Sequence, residues 1–126
     1  MAQPTVASRL APRLVLCSSD TDLEQRLRAA LPETWDMMRI TELDALGDFA
    51  EILQYRFLLL DLEDAAFDPL DVIDTLRREL MLNIAIVCLG GDPGLRDAAR
   101  LARADRFFER SAAVDVMRQF CSQYDW

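Results

Sequence analysis

The sequence predicts an α/β fold, a parallel sheet with helices on both faces. Three observations predict it. The short apolar runs RLVLC, YRFLLLD and IAIVCL are nearly continuous, as strands buried on both sides are. Between them lie stretches with apolar residues at helical spacing. The connections are short, and strand–helix alternation with short loops implies parallel pairing.

Arg13 to Cys17 is the first strand, and Ser18-Ser19-Asp20 is the loop after it. Thr21-Asp22-Leu23-Glu24 fits a capping box, with Thr21 as N-cap and Glu24 reaching back. Leu23, Leu27 and Leu31 then mark a helix over about 22–31, with Pro32 just beyond its end. Trp35 to Ile40 is a less apolar strand, of the kind that lies at a sheet edge. Thr41 caps a second helix carrying Leu46, Phe49, Ala50 and Leu53 on one face, which Gly47 weakens by up to about 1 kcal/mol.

Tyr55 to Asp61 is the central strand, with Arg56 its one polar break. Asp61 falls where the strand gives way to a loop, the position at which open parallel sheets bind ligands. Asp68-Pro69 opens a third helix whose buried face is Val72, Ile73, Leu76 and Leu80. Ile84 to Leu89 is the fourth strand, and Gly90-Gly91-Asp92-Pro93-Gly94 is a turn into a helix with Leu95, Ala98, Ala99 and Ala102 inward. Asp105 to Glu109 is the fifth strand. Ser111 caps a last helix bearing Val114, Met117, Phe120 and Cys121.

With 126 residues the chain suits one domain with a sizeable core: a flexible leader over 1–11, then a single domain over 12–126. A net charge of −8 repels nucleic acid unless a basic patch exists. Arg77-Arg78 and the trio Arg96, Arg100 and Arg103 are interleaved with acids and read as solvated helix faces. No apolar run is long enough to span a bilayer, and the leader lacks the apolar core of a signal peptide, so a cytoplasmic location is expected. Cys17, Cys88 and Cys121 are too few and too scattered for a disulfide framework or zinc spacing. Histidine is absent, which removes the usual general base and the commonest metal ligand. No catalytic residue, cofactor or bound metal is expected.

YRFLLLDLEDAAFDPLDV, SSDTDLEQRLRAAL and ADRFFER together resemble the receiver domain of bacterial two-component response regulators, over roughly Arg13 to Tyr124. The resemblance implies a flavodoxin-like sheet in the order 2-1-3-4-5. It also puts Asp61 at the family's phospho-acceptor position, Asp68 at the start of the third helix and Phe107 at the aromatic switch position. For Phe107 ordinary core is the preferred reading.

The departures from that pattern carry the functional expectation. Ser18 and Ser19 stand at the family's two acidic positions, and Arg110 at its lysine, followed by Ser111 where proline is usual. Gly90 takes the hydroxyl position, or Cys88 under a shifted alignment, and Ala65 and Ala66 replace the proline and glycine after the acceptor. Phosphoryl transfer to a carboxylate needs a divalent cation, and magnesium wants oxygen ligands. A carboxylate lost at about 4 Å is worth on the order of 4 kcal/mol at an effective dielectric of about 20. With that figure cut to roughly a third, two losses weaken the site about a hundredfold. The pocket is thus expected to be too poor in negative charge for a dication, with Asp20 aimed at the helix start instead. Arg110 either pairs bidentately with Asp61 or points to solvent. Gly90 cannot donate a side-chain hydrogen bond.

The expectation is a degenerate receiver: non-enzymatic, and acting through a protein partner (a kinase, regulator or effector) or through a homodimer, without nucleic acid or membrane. No fused effector domain is expected, since the chain ends shortly after the fifth helix. The resemblance implies a dimer face containing Arg96, Leu101, Arg106 and Phe108. Two alternatives stay open. One is a working phospho-receiver modified on Asp61; the other is a small-ligand or thiol-redox sensor using Cys17 and Cys88. Glu63, Asp64, Asp68 and Asp71 read as a solvated acidic rim or as a docking surface for a basic partner.

Overall fold

The computed structural model describes residues 12–123, with the side chains of Phe49 and Gln123 left aside. The leader over 1–11 lies outside the described residues. Five parallel strands stand in the order β2-β1-β3-β4-β5. They are β1 (Arg13–Cys17), β2 (Asp36–Ile40), β3 (Tyr55–Asp61), β4 (Ala85–Leu89) and β5 (Arg106–Phe108). The helices are α1 (Thr21–Ala30), α2 (Phe49–Ile52), α3 (Pro69–Asp74), α4 (Pro93–Leu101) and α5 (Ala113–Gln123). This is the doubly wound order that the resemblance implied.

Alternation along the strands divides the core in two. Val15, Cys17, Leu58, Leu60, Ile86 and Cys88 face one side and pack with Ile73, Leu76 and Ala99 of the α3–α4 layer. Leu14, Leu16, Phe57, Leu59, Val87 and Leu89 face the other and pack with Leu23, Leu27, Met117 and Phe120 of α1 and α5. Both faces of β3 are therefore dry, which is why its sequence is almost unbroken. Arg56 breaks it at a bulge: Arg13 pairs with Tyr55 and Leu14 with Phe57, so Arg56 is the extra residue.

Several local expectations need correction. Asp20, not Thr21, caps α1; its carboxylate accepts from the Asp22 and Leu23 amides, and Glu24 turns to Arg28 and Arg39. An ionised carboxylate caps more strongly than a hydroxyl. The second helix is not continuous from Thr41. A 3-10 turn (Leu43–Leu46) and the single turn of α2 are separated at Gly47, whose φ of +92° ends the first and redirects the chain. Leu53 is consequently exposed.

The third helix ends in a π-helical turn (Thr75–Glu79), closed by the Leu80 amide on the Thr75 carbonyl. Arg77 in this turn is buried rather than solvated. Its guanidinium donates to the Arg103 and Leu82 carbonyls and to Asp105. Asp105 also accepts from the Ile86 amide, which anchors the start of β4. Ser111 does not cap the last helix; it lies in a 3-10 turn (Arg110–Ala112) that leads into α5.

Candidate functional site

A parallel sheet brings the carboxyl ends of its strands to one edge, and the loops that leave them meet there. The loop after β1 contributes Ser18, Ser19 and Asp20. The end of β3 and its loop contribute Asp61, Glu63 and Asp64, and the turn after β5 contributes Arg110. Six of these, all but Ser18, help to line a cavity of about 290 Å³.

Asp61 is 1% exposed, so its carboxylate must find every partner within the protein. It finds four. The Glu63 amide (3.1 Å) and Arg110 Nε (3.1 Å) donate to Oδ1. The Ser18 hydroxyl (2.8 Å) and Arg110 Nη2 (3.0 Å) donate to Oδ2. A carboxylate has about four lone-pair sites, and these are filled. Of the two orientations open to Arg110, the structure has the bidentate pair.

Arg110 Nη2 also donates to Asp20 Oδ2 at 2.6 Å. One guanidinium thus joins the ends of β1, β3 and β5. The Asp20 carboxyl is held below the usual aspartate range, first by that hydrogen bond and then by the α1 amides. Arg110 is raised above the ordinary arginine value by Asp61 and Asp20.

Ser18 is fully buried and does two things: its oxygen accepts from the Asp20 amide while its proton goes to Asp61. Ser19 serves Asp64 instead, through both its amide and its hydroxyl. The Ala66 amide completes Asp64. Partial burial raises the Asp64 carboxyl, but these donors outweigh that and leave it below the ordinary range. In the sequence Asp64 belongs to an acidic rim that reads as solvated or as a docking surface, and nothing there links it to the two serines. Its one sequence signal was its place three residues after Asp61.

Gly90 has φ +76° and presents no side chain; its amide donates to the Phe108 carbonyl. The nearby Glu63 carboxylate accepts from the Gly91 amide. Phe107 is half-buried against the α3–α4 side of the core, with the Arg100 guanidinium 4.7 Å from its ring centre. Of the residues expected on a dimer face, Leu101 is 86% exposed and Arg106 is exposed. Arg96 is turned inward, on the Gly90 and Phe108 carbonyls, and Phe108 packs against Phe120.

Cys17 and Cys88 are fully buried. Burial, helped by Asp64 and Asp61, pushes the Cys17 thiol up to about 12. Burial and Asp105 do the same for Cys88 against the pull of Arg96, also to about 12. Cys121 is raised to about 11 by burial. At pH 8 the thiolate fraction is then about one in a thousand at Cys121 and about one in ten thousand at the others. Iodoacetamide is expected to label Cys121 slowly in the folded chain and Cys17 and Cys88 not measurably. All three should react once the chain is unfolded in denaturant, as peptide mass mapping would show.

No family model matches the chain, and no curated protein matches it. Solved structures do. A response regulator signal receiver domain from Bermanella marisrubri is similar at a TM-score of 0.68 and 21% identity, over 89% of this chain and 98% of that one. The phosphorylated cyanobacterial phytochrome response regulator RcpA is similar at 0.68 and 15%, over 88% of this chain and 89% of its own. A receiver domain from Rhodospirillum rubrum is similar at 0.64 and 15%, over 90% and 95%.

The receiver site, as the resemblance has it, sets a divalent cation beside the acceptor aspartate. The residues here do not fit that ion as they are arranged. Both Asp61 oxygens are already filled, with Arg110 against each, and among the described residues no acidic cluster is disposed to hold a metal. The reason is not the shortage of charge that the serines suggested. Asp20, Asp61, Glu63 and Asp64 all line the cavity, facing the single cation Arg110. In its sheet order, its layers and the placing of Asp61 at the end of the central strand, the chain has the fold of response regulator receiver domains.

Proposed function

We propose that this chain is a receiver-type signalling module that works by protein–protein contact, without catalysis and without phosphorylation of Asp61. The observation that carries this reading is the saturated carboxylate. A nucleophilic Asp61 needs a free oxygen, and all its acceptor directions are taken by Arg110, Ser18 and the Glu63 amide. RcpA is a phosphorylated response regulator. In this chain a guanidinium ties three loops together, which suits a module displaying one fixed surface.

The partner is a protein with a basic docking segment. Beside α3 lies a groove of about 430 Å³ bounded by Glu42, Asp44, Asp68, Asp71 and Glu79, with no basic residue in its lining. Leu43, Phe67 and Val72 give it an apolar floor. Complementary charge favours a cationic segment with one apolar anchor, and the net charge of −8 disfavours nucleic acid. Self-association through Leu101 and Arg106 is a second route, favoured by the exposure of Leu101. Among the described residues no helix is long and apolar enough to cross a membrane. A bacterial, cytoplasmic signalling role goes with this reading.

Incubation with a small acyl phosphate and magnesium, followed by intact-mass measurement, tests it. The expected result is an unmodified chain. A phosphoryl adduct on the native chain that disappears in Asp61→Asn would establish the phospho-receiver alternative instead.

A further inference from the structure

Two helices end on residues that their turns do not favour. The π-helical turn after α3 runs into Met81, at φ +52°, and α4 runs into Arg103, at φ +81°. Among the described residues these are the only positions other than glycine with positive φ. Glycine takes that conformation at a helix end without the clash that a Cβ brings. Both turns are nonetheless held firmly. The Leu82 amide donates to the Leu76 carbonyl, and the Ala104 amide to the Ala99 carbonyl. The buried Arg77 guanidinium then joins the two turns, donating to the Leu82 carbonyl at 2.7 Å and to the Arg103 carbonyl at 3.0 Å. What they present is Met81 and Leu101, 83% and 86% exposed, the two most exposed large apolar residues among those described. Arg78 and Arg100 pair with Asp74 and Asp97. Arg103 is exposed and has no acidic partner among the described residues.

A fixed apolar pair with one unpaired arginine complements the groove beside α3, whose lining has five acids, no basic residue and an apolar floor. We infer that the occupant of that groove is a second copy of this chain, which lays Met81 and Leu101 on the floor and sets Arg103 among the acids. The groove lining reaches Glu79, two residues before Met81, so the two surfaces follow one another along α3 and its π-helical turn. Two copies running antiparallel along that helix exchange these contacts reciprocally, the self-complementary arrangement that closes a dimer. The net charge of −8 does not forbid it. At an ionic strength of about 0.15 M, exposed charges more than about 8 Å apart are largely screened, so the local match decides. This rests on the groove of the proposed function and names its partner; it does not rest on Asp61.

Sedimentation velocity over a concentration series tests it. The native chain is expected to pass from monomer to dimer below about 1 mM. Arg103→Glu and Asp71→Arg should each weaken association at least about tenfold, and an equimolar mixture of the two should restore it, because the reversed charges then face each other. Should Asp71→Arg not fold, Glu79→Arg, in the same groove lining, takes its place. Leu101→Ser should also weaken association, as loss of an apolar anchor does. Arg118→Glu, the same charge change at an exposed position of α5, should leave it unchanged. Arg103→Gly separates display from folding: it should not lower Tm, since glycine suits the turn, yet it should weaken association. A native chain that stays monomeric to about 1 mM would overturn the inference and leave the groove to a foreign basic segment. So would association that survives Arg103→Glu, or a mixture of the two charge variants that stays monomeric. Phosphoryl transfer is read by mass and association by sedimentation, so the two proposals fail separately.

Discussion

Arg110→Met is expected to destabilise the fold by about 3 kcal/mol, the low end of what stranding one member of a buried ion pair costs. The partners are unequal. Asp61 is 1% exposed, whereas the Arg110 side chain is 26% exposed. Without the guanidinium, the Asp61 carboxylate keeps only Ser18 and the Glu63 amide as donors. Asp61→Asn should cost less, about 1 kcal/mol, because Arg110 retains Asp20 and reaches solvent. The double variant should cost less than the sum of the two. Urea denaturation midpoints of the four proteins would check this. Equal single-variant losses, or strict additivity, would mean that the pair is not coupled as its geometry indicates.

Phe57→Ala is expected to have the larger effect, about 3–5 kcal/mol. Phe57 is fully buried in β3, with the rings of Trp35 and Phe120 each centred 5.5 Å away. Its loss opens a cavity at the junction of β2, β3 and α5, which the neighbouring Met37 and Met117 can fill only in part. For a domain of this size that is a fall in Tm of more than about 10 °C. Calorimetry would measure it. Leu53→Ala, on an exposed leucine, is the matched control and should move Tm little.

The strands were legible in the sequence because burial on both faces leaves a local mark. RLVLC, YRFLLLD and IAIVCL have no solvent side to make polar, so their apolar runs are almost unbroken. Asp61 was legible as a carboxylate placed at the end of such a run. Caps and breaks were less so. Thr21 and Asp20 both suit an N-cap, and the choice turned on which one Arg110 and the α1 amides could share. Gly47 was read as a weak point in a helix, but its positive φ ends the turn before it. Arg77 reads as solvated because Arg78 and Glu79 follow it; its partners are the Leu82 carbonyl, five residues on, and the Arg103 carbonyl and Asp105, far along the chain.

The alternation of elements, the two dry faces of β3 and the carboxylate at its tip follow from the order of residues alone, since each depends on spacing within a few positions. The occupancy of the pocket does not. Arg110 meets Asp61 across 49 residues and Asp20 across 90, and Ser19 meets Asp64 across 45. Such contacts exist only once the sheet order has carried the ends of β1, β3 and β5 to one edge. Whether four carboxylates and one guanidinium exclude a metal is then decided by distance, because Coulomb energy depends on separation in space and not along the chain.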